Sequence, residues 1–276
     1  MSRHFLDAIG NRDKSNHACG GNAKRLKEPD AMRALVKNIL PYGLVNALKR
    51  RRNDAQTADE KRRIADSQAR LIAHHFESHD VRKLHLGCGY RPINGWLNAD
   101  LVPRRDDVVP LDVTQRFPFE DDCFDFIFSE HMIEHIGFAD GQKMLRECFR
   151  VLKPCGTIRI ATPNLATLVS LYTQQKTDAQ LRYIQFSVDR YLRDIGIYRD
   201  SFVINNFFRN FGHQFIYDPP TLGDALRRTG FTNIVERNVG ESDDESLRGI
   251  EQHGQDITDE FNRLETFVLE ASKPAK

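Results

Sequence analysis

The segment FSEHMIEHIG, residues 128–137, places two acids and two histidines behind a short apolar run. On a helix, the spacing H-x-x-E-H puts His131, Glu134 and His135 on one face. Three kinds of chemistry fit these letters. They match the zinc motif of some peptidases, which requires a long helix and a distant third ligand. They also suit the plain opening of a helix, where acids stabilise the positive end of the dipole. The third is a site that holds a divalent metal or moves a proton, since imidazole titrates near neutral pH.

A second constellation sits in LHLGCGYRP, where Gly87 and Gly89 follow a short apolar run. Glycine there lets backbone approach a ligand without an intervening side chain. Asp100 ends the next run, WLNAD, where an acid can accept both hydroxyls of a ribose. Asp112 ends DVVPLD and is placed to meet an adenine amino group, unless both acids merely close turns. The position of a third fingerprint glycine is Pro92, which argues against a dinucleotide pyrophosphate and for a nucleoside without phosphates.

From residue 81 short apolar runs alternate with helical stretches. Strands are predicted at 83–86, 96–100, 107–112, 124–129, 156–162, 232–239 and 265–271. Helices are predicted at 141–152, 165–173, 180–195 and 221–229. This alternation predicts a doubly wound, mostly parallel seven-stranded sheet with helices on both faces. No helix is predicted between the last two strands, so they should pair antiparallel at one edge. The link YRPINGW is too short for a crossover helix and should form a cramped loop.

The chain has 276 residues, 40% hydrophobic and 29% charged, the balance of an ordinary soluble globular protein. Its net charge of +1 gives no global pull toward nucleic acid or anionic lipid. Five scattered cysteines without a C-x-x-C pair fit a reducing cytoplasm better than a disulfide framework. No signal peptide or membrane span is expected. Residues 1–30 are polar and expected to lack fixed structure, and 31–80 form a helical extension. Its first helix is kinked by Pro41 and Gly43 and followed by KRRR, which suits packing on the domain or peripheral contact with a membrane. Residues 81–276 form the main domain.

The runs LHLGCG, NADL, PLDVTQRFPFEDDCFDFIFSEHMIEHI, ECFRVLKPCGTIRIATPN and TGF resemble, in order, the motifs of class I S-adenosylmethionine-dependent methyltransferases. They are especially similar to bacterial members associated with surface-polysaccharide genes. The resemblance spans about residues 81–272 and implies a Rossmann-like fold. It implies that Gly87, Cys88 and Gly89 line the methionine and ribose and that Asp100, followed by Leu101, holds the ribose. Asp112 and Val113 would meet the adenine, and Ser129 and Glu130 would lie under the sulfonium. His85 stands where the family has an acid that contacts the methionine amino group, and Cys155 replaces the first glycine of KPGG.

Ubiquinone O-methyltransferases and small-RNA 2′-O-methyltransferases look similar at 130–135, with E-x-x-E-H holding a divalent metal. That resemblance implies Glu134 and His135 as metal ligands, with His213 of FRNFGHQF as a later histidine. At His131 this chain departs from the family's Glu, which shifts the preference from Mg²⁺ toward Zn²⁺, Mn²⁺ or Fe²⁺. Without metal, His131 or His213 could serve as general base. The aromatic segment 165–220 is expected to be a helical lid, or a subdomain with its own core. As a lid it would offer Arg199, Asn205, Asn206 and Arg209 to a sugar. Arg248, Glu251 and His253 are taken as solvated loop residues. The expected reaction is O-methylation of a sugar or other hydroxylated small molecule. An RNA end, or a silent nucleoside-binding scaffold, is the alternative.

Overall fold

The computed structural model describes residues 58–276. The expectations for 1–30 and for the basic helix near residue 45 lie outside the described residues. Seven strands form one sheet: β1 (Lys83–Leu86), β2 (Leu97–Asp100), β3 (Val109–Pro110), β4 (Phe124–Glu130), β5 (Leu152–Pro163), β6 (Thr232–Arg237) and β7 (Thr266–Ser272). Their order is β3-β2-β1-β4-β5-β7-β6, with β7 antiparallel to both neighbours and the other pairings parallel. This is the doubly wound, mostly parallel sheet that the alternating runs imply. Strand order reverses between β1 and β4, and ligands bind in such sheets outside the carboxyl ends at that point.

Seven helices accompany the sheet: α1 (Ala58–Ser78), α2 (Phe138–Val151), α3 (Leu165–Ser170), α4 (Asp178–Tyr191), α5 (Asp200–Arg209), α6 (Pro219–Thr229) and α7 (Asp259–Glu265). Each has local causes. On α2 the buried stripe is Gly141, Met144, Leu145, Cys148 and Val151, the spacing of a single helical face. A Thr177–Gln180 capping box opens α4, and α6 runs from the Asp218 cap to left-handed Gly230. Two expectations fail. β3 spans only two residues, because Pro110 has no N–H to extend the ladder. A helix of seven residues, α7, precedes β7; it is too short to show a periodicity.

The two faces of the sheet differ in kind. Leu84, Leu86, Ile127, Ile158 and Leu269 face one continuous core, which α2 and α6 complete and α1 joins through Leu71, Ile72 and Phe76. On the opposite face the only buried apolar cluster among the described residues is Trp96, Phe128 and Leu247. Across that face, strand register aligns Asn98, His85, Phe128, Arg159 and Glu270 in one row. Four of the five are polar, and all five are buried. On this face the links β1–β2 and β6–β7 contribute Trp96 and Leu247. The first link has no room for a crossover helix, and the second carries α7.

The segment 165–220 has its own small core of Leu168, Leu171, Tyr183, Ile184, Val203 and Phe207, joined by Phe261 of α7. No described helix is long and apolar enough to cross a membrane.

Cys155 adopts φ 65°, in a bulge where β5 leaves the end of α2. Left-handed backbone costs an L-residue about 1–2 kcal/mol, against about 0.5–1 kcal/mol of extra chain entropy for glycine. Cys155→Gly is expected to raise the unfolding free energy by about 0.5–1 kcal/mol, read from urea denaturation. Gly156 next to it cannot be replaced in the same way. A Cβ there would meet the Asp125 and Lys153 carbonyls at 2.9 Å.

Candidate active site

A cleft opens at the carboxyl ends of β1, β2 and β4, in two lobes of about 620 and 610 Å³ that share Gly87, Tyr90 and His131. His85, Gly87, Cys88, Gly89 and Glu130 line the first lobe. Gly87, Asp100, Leu101, Asp112 and Val113 line the second. Nine of the ten residues expected to meet the cofactor therefore border one cleft. Ser129 is the exception: it is fully buried, and its hydroxyl has no partner.

The glycine turn is built for this position. Gly87 has φ 71°, and a Cβ on it would collide with the Met132 side chain. The Gly87 and Cys88 N–H groups both donate to the Ala99 carbonyl, which folds the turn over the end of β2. Gly89 N–H donates to Asp100 Oδ2 and Val102 N–H to Asp100 Oδ1, each at 2.9 Å. Both oxygens of that carboxylate are thus fixed beside the turn. Asp112 accepts twice from Thr114 on Oδ1 alone.

His85 is buried in the place of the family's acid. Asn98 donates to the Ile93 and Trp96 carbonyls, so its Oδ1 accepts from His85 Nδ1 at 3.0 Å. Nδ1 therefore carries the proton, and Nε2 keeps its lone pair. Burial pushes the His85 pKa down to about 4, against a smaller opposing effect of Asn98. The folded protein holds this ring neutral, so its contribution is complete above pH 6.5 and is lost as pH falls toward 4. His85→Gln is expected to flatten the acid loss of stability over that window by about 2 kcal/mol, measured by denaturant titration at each pH.

The histidine segment is not a helix from residue 131 onward. His131 ends β4 with φ 46°, and a 3-10 turn, Ile133–His135, follows. His131 still lies beside Glu134, with Nδ1 3.5 Å from Glu134 Oε1. Its Nε2 lies 2.8 Å from Thr266 Oγ1, whose own proton goes to Asn262 Oδ1. Its ring stacks on His253 at 3.8 Å between centroids. His131 therefore stands between Glu134 and the His253–Glu265 pair, and the long helix of a zinc peptidase is absent.

Glu134, His135 and His213 do come together, with one ligand atom of each within 4.8 Å of the others. Gln214 and Phe215 donate backbone N–H to the Glu134 carbonyl, and Gln214 Nε2 donates to the His135 carbonyl. These bonds bring His213 across 78 residues of chain. Thr162 holds Glu134 Oε2 at 3.0 Å, while Oε1 has no hydrogen-bond partner. His213 Nδ1 is also buried without a partner. Burial raises the Glu134 pKa to about 8 and lowers that of His213 to about 3. Among the described residues, this is one of two groups whose ligand atoms are close enough to hold a cation.

A second cluster, His131, His253 and Glu265, has the same compactness but different chemistry. Its acceptors are satisfied internally: His253 Nε2 pairs with Glu265 Oε1 at 3.0 Å, and Glu265 Oε2 receives the Tyr183 hydroxyl. Glu265 holds the His253 pKa above its ordinary value despite burial. The solvated-loop reading fails here for Glu251 and His253, while Arg248 is exposed. The Glu251 side chain is 1% exposed, and the Gln252 and His253 N–H groups donate to the Glu130 carboxylate. The available signal was charge inside apolar strands, Arg159 in TIRIAT and Glu270 in FVLEA. Arg199, Asn205, Asn206 and Arg209 line neither lobe.

Residues 96–160 match the family described as a methyltransferase domain. No curated protein matches the sequence. Among solved structures, a SAM-dependent methyltransferase from Archaeoglobus fulgidus is 17% identical over 76% of this chain and 94% of its own, with a TM-score of 0.41. One from Mesorhizobium loti is 17% identical over 74% and 96%, with a TM-score of 0.41. Phosphoethanolamine N-methyltransferase 2 of Haemonchus contortus is 17% identical over 75% and 52%, with a TM-score of 0.38. The strand order is that of a doubly wound, mostly parallel sheet, and residues 96–160 within it are similar to the methyltransferase-domain family.

Proposed function

We propose that the protein is an S-adenosylmethionine-dependent methyltransferase acting on a hydroxyl of a sugar or another hydroxylated metabolite. The observation that carries the reading is Asp100, whose carboxylate is fixed by Gly89 N–H of the glycine turn on one oxygen and by Val102 N–H on the other, in a cleft at the point where strand order reverses. The donor would supply an electrophilic methyl carbon on a positively charged sulfur. Asp100 accepts the ribose hydroxyls, and Asp112 Oδ2, left by Thr114, accepts the adenine amino group between Leu101 and Val113. His85 Nε2 accepts from the methionine ammonium, the part an acid plays in the family. Glu130 is engaged by the Gln252 and His253 N–H groups, so its part is to hold the wall of the first lobe. With donor and acceptor aligned, proximity supplies much of the rate.

The residues beside that cleft also fit a divalent metal, held by Glu134, His135 and His213. The fit rests on the two orphaned, buried ligand atoms, Glu134 Oε1 and His213 Nδ1. Two imidazoles and one carboxylate suit Zn²⁺, Mn²⁺ or Fe²⁺ better than Mg²⁺. When bound, the ion would polarise an acceptor hydroxyl and lower its pKa. The low pKa of His213 makes it a better ligand than general base.

The test is calorimetry with S-adenosylhomocysteine, followed by transfer of a labelled methyl group to panels of glycans, phenols and RNA. Binding with label in hydroxylated small molecules is the expected result. Label in RNA alone would replace the acceptor class, and binding without any transfer would favour a silent scaffold.

A further inference from the structure

Arg159 is fully buried on β5, within the polar row that crosses the second face of the sheet. A charge in that position needs partners, and it has three. Nε donates to Glu251 Oε1 and NH1 to Glu270 Oε1, each at 2.5 Å, and NH1 also donates to the Glu241 carbonyl at 2.9 Å. Glu270 is shared with Arg237, and Glu251 Oε2 accepts Gly240 N–H at 3.1 Å. Two arginines therefore face these two glutamates, and Arg237 also pairs with the exposed Asp243.

Two of these partners, Glu241 and Glu251, lie in the link between β6 and β7. Just beyond Glu251, the Gln252 and His253 N–H groups meet Glu130 at 2.8 and 2.9 Å. Asp256, further on, pairs with Arg91 next to the glycine turn at 2.5 Å. His253 and Asp256 both line the first lobe of the cleft. Before Ile257, Phe261 and Leu264, which pack with the 165–220 cluster, the link's apolar contacts in the clusters are those of Leu247 and Ile250, so this stretch relies on such polar anchors for its position. Arg159 is the deepest of these anchors.

We propose that Arg159 is a positioning residue for the methyl-donor pocket: by clamping Glu251 it sets the β6–β7 link so that Gln252, His253 and Asp256 wall the first lobe. It touches no residue of the glycine turn and acts through the loop alone. The inference rests on the reading of this cleft as the donor site.

Removing Arg159 would leave two buried carboxylates short of a partner and threatens the fold itself. The decisive variant is Glu251→Ala in the full chain, in which Arg159 keeps Glu270; Glu251→Gln, which retains an acceptor for Arg159 Nε, is the conservative control. The readouts are hydrogen exchange of the 250–256 amides and calorimetric binding of S-adenosylhomocysteine. In Glu251→Ala the amides should lose protection and the donor Kd should rise by about tenfold or more, while Glu251→Gln stays within about threefold of wild type. A folded Glu251→Ala protein that binds within about twofold of wild type overturns the inference. So does an equal loss in both variants with the loop amides still protected. Wild-type protein that binds no S-adenosylhomocysteine would instead defeat the donor-site reading and, with it, the clamp's role.

Discussion

Asp100→Ala is expected to weaken binding of S-adenosylhomocysteine by about 100-fold, the equivalent of about 2.7 kcal/mol. Two effects add. The ribose hydroxyls would lose a charged acceptor, and hydrogen bonds to charged groups contribute about 1.5–3 kcal/mol. The Gly89 and Val102 N–H groups would lose their partner as well, which frees the glycine turn to move. Asp100→Asn separates the two effects. Its amide oxygen can satisfy one of these N–H groups but not both, and it cannot offer a charged acceptor to two hydroxyls. An intermediate loss of about tenfold is expected. If Asp100 only closed a turn, both variants would unfold earlier yet bind the nucleoside as wild type does. Calorimetry beside thermal melting decides between the two outcomes.

Glu134→Gln and His213→Ala are each expected to abolish stoichiometric metal in protein purified without a histidine tag, measured by mass spectrometry of the digested protein. Losing one of three protein ligands removes a large share of the binding free energy, and even a supporting contact is worth about 10–100-fold in affinity. The metal-free state has a signature that needs no assay of activity. Burial holds the Glu134 pKa at about 8, above its ordinary value, so the carboxyl is protonated in the folded chain at neutral pH. The unfolded chain releases that proton near pH 4.5. Below pH 6.5 the buried, neutral His85 and His213 act in the opposite direction, so stability of the chelated protein should fall as pH rises from 6.5 toward 8, by at most about 1.4 kcal/mol per pH unit. Glu134→Gln should remove this slope, and adding Zn²⁺ or Mn²⁺ to wild type should reverse it. A chelated protein with no such slope, and no metal before chelation, would dismiss the site.

The parts legible in the sequence are those governed by local chemistry. Period-two apolar runs closed by Gly or Asp placed β1, β2 and β4 within a residue or so of their observed ends. The helical stripe of α2 was equally plain, because one buried face imposes its own spacing. Gly87, Gly89, Asp100 and Asp112 could be picked out because each sits directly at a strand end, and strand ends of a doubly wound sheet share one edge. Short links without crossover helices were likewise visible as too few residues.

What only the tertiary structure decided was which distant groups meet. The letters H-x-x-E-H imply one face if the backbone is helical, but the left-handed turn at His131 gives its ring Thr266 and His253 as further neighbours beside Glu134. Backbone hydrogen bonds from Gln214 and Phe215 bring His213 to Glu134, and no local pattern encodes that pairing. Arg159 and Glu251 are 92 residues apart. Their pairing follows from sheet register and from the course of the β6–β7 link. Local sequence sets torsions and periodicities over a few residues. The contacts that make a site are chosen by burial, which compels each polar group taken from water to find its partner wherever the fold has placed one.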